Sequence, residues 1–100
     1  MPYYKHNYMV KLFKILANSN RLKILEILNS NKTSPLTVNQ LAELLPISQK
    51  TLSNHLGKMR DNGILKAKQS GLNMYYFIKD ENALIFAQMV KWANRPTYKL

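Results

Sequence analysis

Pro46 constrains this chain more than any other residue, because it stands between two short segments that both carry helical spacing. Upstream, Val38, Leu41, Ala42 and Leu45 recur at i, i+3, i+4 and i+7, which lays one apolar stripe along a helix. Thr37 precedes that run with Gln40 three residues on, the spacing of a capping box that satisfies the first backbone N–H groups. Pro46 has no N–H to donate and disfavours helical geometry at Leu45, so the first helix stops there. Ser48 then offers an N-cap to a second helix that carries Leu52, Leu56 and Met59 at i, i+4 and i+7. The prediction is two short helices, the first from about Thr37 to Leu45, joined by a tight turn.

The leucine stripe assigns the buried side of the second helix and so its outer side. Gln49, Lys50, Ser53, Asn54 and Lys58 are left facing out, with Thr51 and His55 at the margin and no acid before Asp61. Small polar side chains and cations on a free helix face are suited to the hydrogen-bonding edges of the DNA major groove. Fifteen Lys and Arg against five Asp and Glu give a formal charge of +10 on 100 residues, an excess that attracts phosphate. Charge alone also fits a basic protein with no such partner, but its distribution is uneven. Lys50, Lys58, Arg60, Lys66 and Lys68 fall within nineteen residues that contain one acid.

The remaining composition narrows the classes. One domain spanning 1–100 is expected from the length, and an apolar fraction of 46% is enough for a modest core. The absence of cysteine excludes disulfides, thiol redox switching and thiolate metal sites. No apolar run approaches the roughly 18 to 20 residues of a membrane span. The start, Met1 to Asn7, lacks a signal peptide's apolar core, so no membrane partner and a cytoplasmic location are expected. The acids are scattered, no Ser-His-acid set is evident, and Gly63 and Gly71 belong to no phosphate-cradling loop, so neither an enzyme nor a cofactor is expected.

Two more helices precede the pair. Met9, Leu12, Phe13 and Leu16 make an apolar stripe on the first, over about 4–17. Asn18-Ser19-Asn20 caps a second, with Leu22, Leu25 and Leu28 on one side and Ile24 and Ile27 beside them. Ser30 to Pro35 is a run of turn-formers and reads as a loop. After the second helix of the pair, Gly63 suits a left-handed helix end, and Ile64 to Gln69 alternates apolar and polar. Met74 to Ile78 is aromatic and suits a strand, giving a hairpin over about 64–78 with its tip at Gln69, Ser70, Gly71, Leu72 and Asn73. A last helix is expected over about 82–94, before Pro96. The fold class is mainly α with a small β-hairpin wing, in the order α-α-α-α-β-β-α of a winged helix-turn-helix, the helix-turn-helix at about 37–62.

At this point the chain resembles the ArsR-type (ArsR/SmtB-like) regulators, over roughly residues 9 to 94. The likeness rests on Arg21-Leu22-Lys23-Ile24-Leu25, Leu41-Ala42-Glu43, the Ser48 to Leu56 segment and the Gly63 to Tyr76 wing. It implies a homodimeric repressor on a pseudo-palindromic double-stranded DNA operator, with Gln49, Lys50, Thr51, Ser53, Asn54 and His55 facing the DNA and the wing touching backbone or minor groove. It also implies a dimer interface built from the first and last helices, where Tyr4, Tyr8, Met9, Leu12, Phe13, Leu84, Ala87, Met89, Val90 and Trp92 lie. The family's arsenic, lead and cadmium sensors carry Cys-Val-Cys where this chain has Thr37-Val38-Asn39, and a hydroxyl and an amide do not replace soft thiolates. The last helix holds no histidine, and His6 and His55 are far apart, so no metal sensor is expected.

Each assignment has a plainer counterpart. Ser48 and Thr51 also serve as cap residues, and His55 can hydrogen-bond within the protein. Lys58 and Arg60 suit phosphate more than bases, Lys66 and Lys68 either touch phosphate or keep a hairpin face solvated, and Gln69, Ser70 and Asn73 at the tip are candidate DNA contacts. Tyr75, Tyr76 and Phe77 fit base stacking or, more simply, a strand core. Pro46 stands where many helix-turn-helix units have glycine. The alternative overall reading is a winged-helix protein adaptor or a binder of nucleic acid by shape. Nothing in the residues identifies a small-molecule effector, though Tyr3, Tyr4 and Tyr8 leave room for a pocket at the dimer seam.

Overall fold

The computed structural model of the chain describes residues 2–30 and 35–79 together with Ile85, Gln88, Met89, Lys91 and Trp92; within 2–8 it describes the side chains of His6 and Asn7. Helix α1 (Pro2–Leu16) ends where Asn18 begins α2 (Ser19–Ser30), the Asn18 side-chain oxygen accepting from the backbone N–H groups of Asn20 (3.0 Å) and Arg21 (3.1 Å). That satisfies two donors a helix start leaves open. On α2, Ile24, Leu25 and Leu28 are buried, whereas Leu22, foreseen on the same stripe, is 44% exposed. At 100° per residue Leu22 lies roughly 110° from the centre of the buried arc, so it leaves the core first.

A short strand β1 (Leu36–Thr37) leads into α3 (Val38–Leu44). The capping box is present in full: Gln40 N–H donates to Thr37 Oγ1 (3.1 Å), and Thr37 N–H donates to Gln40 Oε1 (2.9 Å). Leu45 adopts extended geometry (φ −127°, ψ 138°), as a residue before proline should. Helix α4 (Gln49–Asp61) starts at its Ser48 cap and ends in a Schellman motif. Ile64 N–H reaches Met59 O (2.9 Å) and Gly63 N–H reaches Arg60 O (3.0 Å), with Gly63 at φ +76°, a conformation that favours glycine.

Strands β2 (Leu65–Ser70) and β3 (Asn73–Ile78) form the hairpin, antiparallel from Leu65↔Ile78 to Ser70↔Asn73. The turn is therefore only Gly71-Leu72, tighter than the five-residue tip expected from sequence. Gly71 alone has positive φ (+62°), the signature of a II′ turn whose twist matches the strands. Unforeseen was β1, which pairs Leu36 with Tyr76 and Thr37 with Tyr75 to make a three-stranded sheet in the order β1-β3-β2. An N-cap residue has extended geometry in any case, so Thr37 serves the helix and the sheet at once.

The core gathers the apolar sides of all these elements, from Leu16 of α1 to Tyr76 and Ile78 of β3. The expected last helix falls largely outside the described residues, among them Leu84, Ala87 and Val90; the five described positions there are helical. Residues 31–34, most of the expected loop, also lie outside the description, as do the side chains of Tyr3, Tyr4 and Tyr8. Among the described residues no helix is long and apolar enough to cross a membrane.

Candidate nucleic-acid interface

Leu52, Leu56 and Met59 are wholly buried and clamp one side of α4 to the body. Lys50 and Asn54 lie roughly 150° or more around the helix from that buried line, and Ser53 and Lys58 flank them. All four are exposed, and none of their side chains has a hydrogen bond among the described residues. They form a strip of free donors and acceptors on the outer side of the helix.

Other expected contact residues are engaged within the protein. Thr51 N–H donates to Ser48 Oγ (3.1 Å), and the Ser48 hydroxyl donates to Thr51 Oγ1 (2.9 Å), so both serve the cap while staying exposed. The Gln49 amide donates to Asn39 Oδ1 on α3, a contact between the two helices that sequence reasoning missed. Asn39 is one residue beyond Val38 on the exposed side of α3's first turn, which in hindsight is the signal. Thr37 and Asn39, standing where sensors of the resembled family carry thiols, are thus committed to a cap and to Gln49.

His55 is half-buried, and its Nδ1 accepts from Arg21 Nε at 3.1 Å. Burial first, then the charges of Arg21 and Lys58, push its pKa below the ordinary 6.5, favouring the neutral imidazole. The plainer counterpart, a hydrogen bond inside the protein, is what the structure contains. Arg60 pairs with neighbouring Asp61 at 3.4 Å on the surface, a contact of the kind worth about 0 to 1 kcal/mol and readily exchanged for phosphate.

In the wing, Lys66 and Lys68 share one face of the sheet with Phe77 and Tyr75 directly opposite, while Leu65, Ala67, Tyr76 and Ile78 take the core face. Tyr76 is core, and Tyr75 and Phe77 are half-buried on the lysine-bearing face. Gln69, Ser70 and Asn73 are exposed at the tip, Gln69 donating weakly to Gly71 O (3.4 Å) beside a fully exposed Leu72.

Residues 18–67, the span from the Asn18 cap through α4 into β2, match the family described as bacterial regulatory protein, arsR family. The chain belongs to the arsR family of bacterial regulatory proteins. It is 40% identical over 70 residues to the transcriptional repressor PagR of Bacillus anthracis, covering 70% of this chain and 68% of that one. The cadmium resistance regulatory protein CadC of Listeria innocua is 37% identical over 68 residues, 68% of this chain and 56% of the relative. The transcriptional activator HlyU of Vibrio cholerae is 36% identical over 67 residues, 67% of this chain and 59% of the relative. Among solved structures, the homodimeric winged helix-turn-helix DNA-binding domain of a possible ArsR-family regulator from Mycobacterium bovis superposes with a TM-score of 0.79 at 26% identity, covering 92% of this chain and 83% of that one. The PagR crystal structure gives 0.73 at 34% identity, covering 87% and 98%. Membership makes this chain a transcriptional regulator on a winged helix-turn-helix, DNA-binding fold.

Proposed function

We propose that the chain is a homodimeric, cytoplasmic repressor that reads a pseudo-palindromic operator through α4 and steadies itself on adjacent phosphate with the wing. The observation that carries this reading is the exposed strip Lys50, Ser53, Asn54 and Lys58, held out by a fully buried leucine side. Hydrogen-bonding side chains supply base readout, and Lys58, Arg60, Lys66 and Lys68 supply the sequence-independent attraction. That PagR of Bacillus anthracis is a transcriptional repressor supports repression. Control by metal or thiol and any catalysis are not part of the proposal, since the chain has no cysteine and its candidate residues form a binding surface.

The dimer reading rests on two exposed apolar stripes. Met9, Val10 and Phe13 line α1, and Ile85, Met89 and Trp92 recur at i, i+4 and i+7, with Phe13 54% and Trp92 52% exposed. Leu12 instead packs against the core, so its part in any interface is indirect. Apolar stripes on two terminal helices suit a second copy of the same chain, whose two-fold axis would set the α4 helices roughly 34 Å apart, one DNA turn.

The test is a fluorescence titration with duplexes enriched from a random pool and with random duplexes. Operator recognition predicts a preference of about a thousandfold or more for the enriched set. A ratio near one means binding by shape, and no binding at moderate salt means an adaptor. A promoter reporter carrying the enriched site then reads repression against activation.

A further inference from the structure

Arg21, in the first turn of α2, shares its guanidinium between two other helices. Its Nη1 donates to Ile15 O at 2.8 Å, and its Nε donates to His55 Nδ1 at 3.1 Å. The Ile15 carbonyl belongs to the last turn of α1, where a terminating helix leaves acceptors open and where a cation suits the helix dipole. Arginine has no acceptor, so the partner nitrogen of His55 carries the lone pair and the ring's proton sits on Nε2. His55 shares a flank of α4 with Thr51 and Lys58, four residues before and three after, and its Nε2 has no partner among the described residues.

We propose that Arg21 is a positioning residue for DNA binding: it ties the end of α1 to α4 and holds His55 so that Nε2–H donates to a phosphate oxygen beside the groove. This rests on the reading of α4 as the helix that meets DNA. The ring is a neutral donor of fixed tautomer, flanked by Thr51 and Lys58, which address the same backbone. Because one guanidinium serves both ends, a shift of α1 against α2 disturbs Ile15 and His55 together, so the placement of the stripe-bearing helix α1 is felt at α4.

The experiment combines imidazole nitrogen NMR on the free protein, operator titration and thermal melting for wild type, Arg21→Met, His55→Asn and the Arg21→Met/His55→Asn double variant. In the wild type His55 should show an unprotonated Nδ1 and a protonated Nε2, and in Arg21→Met it should titrate nearer its ordinary value. Each single variant should lose about tenfold in operator affinity, and the double variant no more than the worse single one, because both remove the same contact. His55→Gln, whose amide N–H reaches nearer the Nε2 position, should recover part of the loss that His55→Asn shows. Losses that multiply in the double variant, a wild-type ring protonated on Nδ1, or Arg21→Met melting lower with affinity unchanged each overturn the proposal. The wild-type NMR and the two His55 variants decide it even if Arg21→Met fails to fold. A wild type that binds no duplex overturns the reading of α4 and this inference with it; one that binds while the variants lose nothing overturns this inference alone.

Discussion

Helix α4 and the wing both present cations to solvent, but they hold them differently. On α4, free residues such as Lys50 and Asn54 stand between neighbours that are locked by Ser48, Asn39 and Arg21, so the outer face is attached to the core by leucines and to α2 and α3 by hydrogen bonds. On the wing, Lys66 and Lys68 sit across from half-buried aromatics in the strand register, and their ammonium groups have no hydrogen-bond partner among the described residues. A helix face so braced can demand a particular base at a particular place. Two flexible lysines offer charge wherever phosphate passes, which raises affinity without choosing sequence.

Removing the anchor tests the comparison most severely. Leu52→Ala, at a wholly buried position of the core, should cost about 2 to 5 kcal/mol of folding stability in a denaturant titration, since it leaves a void in a packed interior. Next comes the reader: Asn54→Ala should leave the melting temperature nearly unchanged and cost about 1 to 3 kcal/mol of operator binding, relaxing preference at one base position per half-site. Uniform weakening on every duplex would show that α4 contributes only charge. For the wing, Lys66→Ala should weaken specific and random duplexes alike and reduce the log-log salt slope by about 0.9 if the lysine meets one phosphate. A change in sequence preference there would erase the contrast between the two regions.

Smaller effects sharpen it. Gly57 lies within α4, and a Cβ built on it meets nothing within 4 Å. Gly57→Ala should therefore raise stability by about 0.5 to 1 kcal/mol through helix propensity, measured by the same denaturant titration. The pH dependence of His55 is the slightest. Its folded-state pKa is depressed, so as pH falls the unfolded chain takes up this proton first; stability should decline from about 6.5 down through the folded-state value and be level above. In His55→Asn that portion of the pH profile should disappear. A wild-type profile rising on acidification in this window would contradict the lowered pKa of the Arg21-bound ring.

Local chemistry made much of the fold legible. The Thr37–Gln40 capping box, the Pro46 stop, the Ser48 cap and the Gly63 helix end are set by residues within a turn of one another, and each is where its neighbours require it. The outer strip of α4 was legible for the same reason, because a 3.6-residue period that buries Leu52 and Leu56 must expose Lys50 and Asn54. Strand β1 was not, since two residues have no period and become a strand only by lying beside β3. Nor were the partners of Gln49 and His55: Asn39 and Arg21 are ten and thirty-four residues away, and only the packing of α2 and α3 against α4 brings them within reach. By itself, then, the sequence determined where helices start, stop and turn their apolar sides, because those choices cost or gain energy within a few residues. The tertiary structure alone decided which polar groups on the outer face of α4 are free and which are held, because that depends on contacts between elements.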